Sequence, residues 1–343
     1  MNRCRPFAEV LFLTGLLASS VSADPPQLDR YRFSEPHLGT LVHITVYAPD
    51  ETVAKDIVGK AFRRISDLNK VLSDYDRDSE LSRLILNIQP GQPVAVSDDF
   101  FRVLDASLKL AQRTDGAFDP TLGPVIRLWR QARRTGKLPD PDRLRDARER
   151  VGFRQITLDA EHKSVTLSHT GISIDFGGIA KGDIAQEALN VLKSNGLKHA
   201  LVAIAGDIVA GEPPPDAPGW RVGVAALDPS DEEPAYWLRL ENMAVSTSGD
   251  AFQFVEIDGV RYSHIVDPMT GIGLTERSSV SVIAPTGIQA DGLATAATVL
   301  GREAGLKLIE ESEGCAAVYI VADDNGVTSR VSSRFSSFEW SDQ

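Results

Sequence analysis

Three stretches of the chain combine residue types that could do chemistry. The first is Ser173-Ile-Asp-Phe-Gly-Gly-Ile-Ala-Lys-Gly182. A strand over Ile172–Phe176 is expected to run into the Gly177-Gly178 pair, with a helix following. Unpaired amides at a helix start suit phosphate oxygens, glycines let a ligand approach the backbone, and Lys181 adds a point charge. The same pattern is also the ordinary solution to a tight turn. The second is Ala290-Asp291-Gly-Leu-Ala-Thr295. Asp291 and Thr295, at i and i+4, share one helix face. A carboxylate beside a hydroxyl suits a hard cation such as Mg²⁺, and an acidic residue also simply favours a helix N-terminus. The third is Tyr262-Ser263-His264-Ile-Val-Asp267-Pro268. His264 could serve as a general base, or be satisfied within the Asp-Pro turn.

Weaker signals accompany these. Ser246-Thr-Ser-Gly-Asp250 reads as a polar loop at a site or as a cap. Ala205-Gly206-Asp207 and Ala117-Phe118-Asp119-Pro120 read as Asp-bearing turns. There is no G-x-S-x-G, H-E-x-x-H or Walker P-loop, so the hydrolase and NTPase routes lose their usual support.

The elements that must position these residues follow from periodicity. Thr52–Leu72 and Asp98–Gln112 have helical apolar spacing, the second with Ser97 or Asp98 as its cap. Leu122–Arg134, Ile184–Ser194, Ala290–Leu300 and Ala304–Ser312 also read as helices. Strands are expected at Gly39–Tyr47, Ala200–Ala205, Trp220–Ala225, Ser279–Ile283 and Ala316–Ala322. Ile156–Leu158 with Ser164–Leu167 should form one hairpin, and Phe254–Tyr262 another around Asp258-Gly259. Strands and helices mix without a βαβ rhythm, which argues for an α+β fold.

Composition bounds the rest. Of 343 residues, 42% are apolar and 24% charged, ordinary for a soluble globular protein. The N-terminus resembles a secretory leader: Arg3 and Arg5, an apolar run from Val10 to Ala18, and Val21-Ser22-Ala23 before a cleavage point. The expected organisation is a signal peptide over 1–23 and one domain over 24–343, working in the periplasm without a lipid anchor. Cleavage would remove Cys4 and leave only Cys315, so no intrachain disulfide and no cysteine metal cluster are expected. The net charge of −12 disfavours nucleic acid and anionic membrane surfaces. An anionic ligand therefore needs a local site.

Taken in order, these segments resemble the ApbE family, the FAD:protein FMN transferases. The resemblance runs through Leu38-Gly39-Thr40, Ser73-Asp-Tyr75, Gly116-Ala-Phe-Asp-Pro120, Ile174-Asp175 to Gly182, and Gly206-Asp207. It continues through Thr247-Ser-Gly-Asp250, Ser263 to Pro268, and Ala284-Pro-Thr286 with Ala290-Asp291 to Thr295. It implies an α+β fold with mixed and antiparallel sheets packed with helices in one large two-lobed domain. It implies Mg²⁺ at the Gly178 carbonyl, Asp291 and Thr295, and FAD as substrate at Leu38, Tyr75, Ala117, Phe118, Asp119, Asp175, Lys181 and Ile265. His264 takes the place of the family's candidate catalytic histidine. Two positions depart from the family pattern: Leu38 stands where methionine is usual, and Gly178 where alanine is common. The implied partner is an acceptor flavoprotein whose Thr or Ser hydroxyl receives FMN while AMP leaves. Hydrolysis of FAD to FMN and AMP, and flavin binding without turnover, are the competing expectations.

Overall fold

The computed structural model describes residues 27–227, 233–250, 253–323 and 326–341. The leader-like segment lies outside the described residues. In chain order the first half holds β1 (Asp29–His37), β2 (Thr40–Ala48), α1 (Glu51–Leu72), α2 (Glu80–Asn87), β3 (Val94–Ala95) and α3 (Asp98–Arg113). It continues with α4 (Gly123–Thr135), α5 (Pro141–Arg148), β4 (Ile156–Asp159), β5 (Ser164–Leu167) and α6 (Ala180–Ser194). The second half holds β6 (Ala200–Ile204), β7 (Asp207–Ala210), β8 (Trp220–Val224), β9 (Tyr236–Leu240), β10 (Ala244–Gly249) and β11 (Phe254–Ile257). It ends with β12 (Val260–Ser263), β13 (Arg277–Ala284), α7 (Gly287–Glu310), β14 (Ala316–Asp323) and β15 (Gly326–Val331).

An eight-stranded sheet in the order β1-β2-β6-β7-β10-β13-β14-β15 forms the frame. Its strands alternate between two cores, as a period of two requires. On β14, Ala317, Tyr319 and Val321 face the large core beneath α1, α6 and α7. Ala316, Val318 and Ile320 face the opposite side, where the β8–β9 hairpin brings Trp220, Val222 and Leu238. A third core, around Val125, Trp129, Ala147, Ile257 and Val266, joins α4 and α5 to the β11–β12 hairpin. The Trp129 indole N–H donates to the Gly271 carbonyl at 2.8 Å and ties this lobe to the loop after β12.

Local signals explain the helix starts. The Asp50 carboxylate accepts the Val53 N–H at 2.8 Å to cap α1, and Ser97 caps α3 through Phe100 N–H. In α4, Pro124 in the first turn spares a donor where no side chain caps the helix. The hairpin turn at Asp258-Gly259 takes positive φ at both residues, 51° and 76°. The helical run after Thr286 breaks at Gly301, with φ 78° and ψ 172°, so its two expected halves stand as one bent element.

Four expectations change. Every pair of named strands is antiparallel, and among the described residues the expected mixed pairing reduces to one isolated parallel bridge between Leu122 and Ser173. That bridge replaces the strand expected over Ile172–Phe176. This buried, extended segment lies against the 120–123 turn, with Asp175 N–H donating to the Pro120 carbonyl at 2.8 Å. Ser246–Gly249 is the strand β10 rather than a loop, since its backbone pairs with β7 and β13. Finally, α6 begins at Ala180 rather than Ile184, which places Lys181 in its first turn.

Candidate functional site

A cleft of about 1310 Å³ opens between the main sheet with its helices and the lobe built on α4. All twelve residues singled out from the sequence line it: Leu38, Tyr75, Ala117, Phe118, Asp119, Asp175, Gly178, Lys181, His264, Ile265, Asp291 and Thr295.

One end of the cleft is made where the N-termini of α6 and α7 meet. Glycine permits this approach: a Cβ on Gly182 would stand 2.1 Å from the Gly287 carbonyl oxygen and 2.8 Å from Asp291 Cβ. Asp291 and Thr295 project from the first turns of α7. Thr295 lies against Gly178, where an added Cβ would sit 3.0 Å from the threonine Oγ1. The Gly182 amide, which the turn alone would leave open to a phosphate, donates to Asp291 Oδ2 at 3.0 Å. Lys181 Nζ lies 3.2 Å from Asp207 Oδ2 and 3.9 Å from Asp291 Oδ2. Burial, reinforced by the neighbouring Asp207, pushes the Asp291 carboxyl up to about 7. Burial draws the Lys181 ammonium down, but Asp291 and Asp207 outweigh it and hold the group above its ordinary value.

These residues fit a hard divalent cation. Among the described residues no three His, Cys, Asp or Glu side chains form a metal cluster. The set the resemblance implies offers the Asp291 carboxylate, the Thr295 hydroxyl and the Gly178 main-chain carbonyl, with the Asp207 carboxylate close by across Lys181. An all-oxygen set with few protein ligands suits Mg²⁺, which keeps water or phosphate in its remaining positions.

The Gly177-Gly178 turn is shaped by Asp175. Its Oδ1 accepts the Gly177 N–H at 2.7 Å, and its Oδ2 accepts Arg130 Nη2 at 3.0 Å. Burial and the nearby Asp74 raise the Asp175 carboxyl above its ordinary range. Arg130 also pairs with Asp74, and its guanidinium lies 4.3 Å from the centroid of the Tyr75 ring. Tyr75 stands 77% exposed at the rim, an aromatic surface free to stack on a planar ligand. Across the cleft, Leu38 occupies the two-residue turn between β1 and β2 with φ 55°. A leucine there costs about 1–2 kcal/mol against an ordinary backbone, and the turn holds its side chain at the cleft wall.

Asp119 and Phe118 take more structural parts than the sequence suggested. The Asp119 carboxylate accepts from Thr121 N–H, Thr121 Oγ1 and Phe153 N–H at 2.8, 2.6 and 2.9 Å, so it fastens its own loop. The Phe118 ring is buried in the main core. What this loop presents along the cleft is therefore chiefly backbone.

His264 follows β12, with Ile265 buried behind it. Its Nδ1 lies 3.1 Å from the Gln253 carbonyl oxygen. A carbonyl only accepts, so Nδ1 carries the proton and Nε2 keeps its lone pair. Burial pulls the imidazole down to about 4 against the pull of the Gln253 bond, and the charges of Arg133 and Lys181 lower it further. At neutral pH His264 is thus an uncharged base with a fixed tautomer.

The sequence reading missed Asp74, Arg130, Arg133 and Gln253. One signal was available: α4 carries Arg127, Arg130, Arg133 and Arg134 with no acidic residue, so its positive charge had to be answered from elsewhere.

The sequence profile of the ApbE family matches residues 38–319. The FAD:protein FMN transferase of Treponema pallidum is 35% identical over 309 residues, 85% of each chain. The enzyme of that name from Haemophilus influenzae is 32% identical over 332 residues, 93% of this chain and 94% of the relative. Among solved structures, the flavin transferase ApbE of Vibrio cholerae superposes with a TM-score of 0.79 at 30% identity, over 91% of this chain and 99% of its own. Similarity of this extent, in sequence and in fold together, makes the chain a member of the ApbE family.

Proposed function

We propose that this chain transfers the FMN half of FAD to a Ser or Thr hydroxyl of an acceptor flavoprotein, releasing AMP. The observation that carries this reading is one cleft holding both a cation-ready oxygen cluster and a neutral histidine with an open Nε2. A flavin carrier without turnover would have no use for that base.

In this reading FAD lies across the Gly177–Lys181 turn, with Tyr75 beside its rings and Leu38 as an apolar wall. Asp175 and Arg130 keep the turn in shape. A magnesium ion at the Gly178 carbonyl, Asp291 and Thr295 would offset the pyrophosphate charge and ease departure of AMP. Lys181 stays protonated between Asp207 and Asp291 and adds fixed positive charge. His264 Nε2 takes the proton of the attacking hydroxyl, while Gln253 holds the ring in orientation. No helix among the described residues is long and apolar enough to cross a membrane. The leader-like N-terminus supports work in the periplasm.

The test is AMP release from FAD and Mg²⁺ with and without acceptor. Release that depends on acceptor supports transfer. Rapid release unaffected by acceptor identifies a hydrolase instead.

A further inference from the structure

The arginines of α4 have different fates. Arg127 Nη1 donates to Ser173 Oγ at 2.6 Å. Arg130 is held by Asp74 and Asp175. Arg134 is exposed to solvent. Arg133 is partly buried and lines the cleft, yet no hydrogen bond or ion pair joins its side chain to any described residue. The other cations along the cleft are answered: Lys181 by Asp207 and Asp291, Arg130 by its two aspartates. Placing a guanidinium partly out of water without a partner costs free energy that a bound anion would return. Arg133 also lies close enough for its charge to act on His264, the group that receives the proton.

We propose that Arg133 is a catalytic residue that binds the non-bridging oxygens of the phosphoryl group as it passes from FAD to the acceptor. This rests on the FMN-transfer reading. In the step, the acceptor oxygen bonds to the FMN phosphorus and its proton goes to His264 Nε2. The bond between that phosphorus and the oxygen bridging to the AMP phosphate breaks, and its electron pair leaves with AMP. Charge on the transferred oxygens changes most in the transition state, where a planar fork of donors is worth most. Lys181 is already committed to two carboxylates, so the free guanidinium is the group able to follow that charge.

The experiment compares wild type with Arg133→Ala and Arg133→Lys in the full chain, with FAD, Mg²⁺ and an acceptor protein. FAD affinity and thermal midpoint are measured alongside. Because Arg133 holds nothing in the fold, both variants keep the wild-type midpoint. The alanine variant loses roughly a hundredfold or more in kcat with little change in KM for FAD. The lysine variant recovers only part of that loss, and added guanidinium ion rescues the alanine variant alone. A kcat near wild type in Arg133→Ala, or a loss confined to KM for the acceptor, overturns the assignment and leaves FMN transfer standing. A wild-type chain that labels no acceptor overturns both.

Discussion

His264 Nδ1 sits 3.1 Å from the carbonyl oxygen of Gln253, and this one contact decides which ring nitrogen can act as a base. With the imidazole at about 4 rather than 6.5, the group stays neutral through the physiological range. The acid limb of kcat is expected near pH 4–5, not near 6.5. Replacing His264 with Gln should lower kcat by about a hundredfold or more. The stability consequence has a definite sign. The folded protein binds fewer protons here than the unfolded chain between about 4 and 6.5, so the contribution is full above 6.5 and is lost as pH falls toward 4. Urea melts of wild type and His264→Gln across that window check it: the variant should depend less on pH.

Asp291→Asn keeps an oxygen that can accept the Gly182 amide, so the fold is expected to survive. The variant loses the one carboxylate of the proposed cation site. Transfer should become undetectable at Mg²⁺ concentrations that saturate wild type, while circular dichroism stays unchanged. Labelling that persists undiminished would rule out the metal assignment.

Gly182→Ala tests how the site is built. The added methyl would meet the Gly287 carbonyl oxygen at 2.1 Å, against backbone, with no flexible end to yield. Forcing α6 from α7 is expected to cost at least about 2 kcal/mol in chemical denaturation. Because the same movement shifts Asp291 relative to Lys181, transfer should fall even where the variant remains folded.

Tyr75→Ala addresses binding apart from chemistry. Losing an exposed stacking surface should weaken FAD by roughly fivefold, as an aromatic pair worth about 1 kcal/mol implies. The kcat at saturating FAD should change little. Equilibrium titration of flavin fluorescence together with steady-state kinetics separates the two.

Much of this was legible in the sequence where a local rule applied. Helices α1 and α3 follow from apolar spacing, α3 also from its cap at Ser97, and the pairing of Asp291 with Thr295 follows from helical geometry. The edge strands β1 and β15 escaped because both are largely exposed, β15 along its whole length, and show no buried face to read. β10 was obscured by its hydroxyls. Thr247 Oγ1 and Ser281 Oγ pair across strands at 2.7 Å and Ser246 bonds to Asp207, so side chains typical of a loop are satisfied inside a sheet. The Asp74–Arg130–Asp175 bridge joins residues 56 and 45 positions apart. Such partners meet only through the fold, and no spacing announces them.

The central claim is a covalent product, and intact-mass spectrometry of the acceptor reads it directly. After incubation with this protein, FAD and Mg²⁺, the acceptor should gain the mass of one FMN, with one AMP released per label. An acceptor whose target hydroxyl is removed by Ser→Ala or Thr→Ala should gain nothing. An acceptor of unchanged mass alongside continued AMP release would contradict the account.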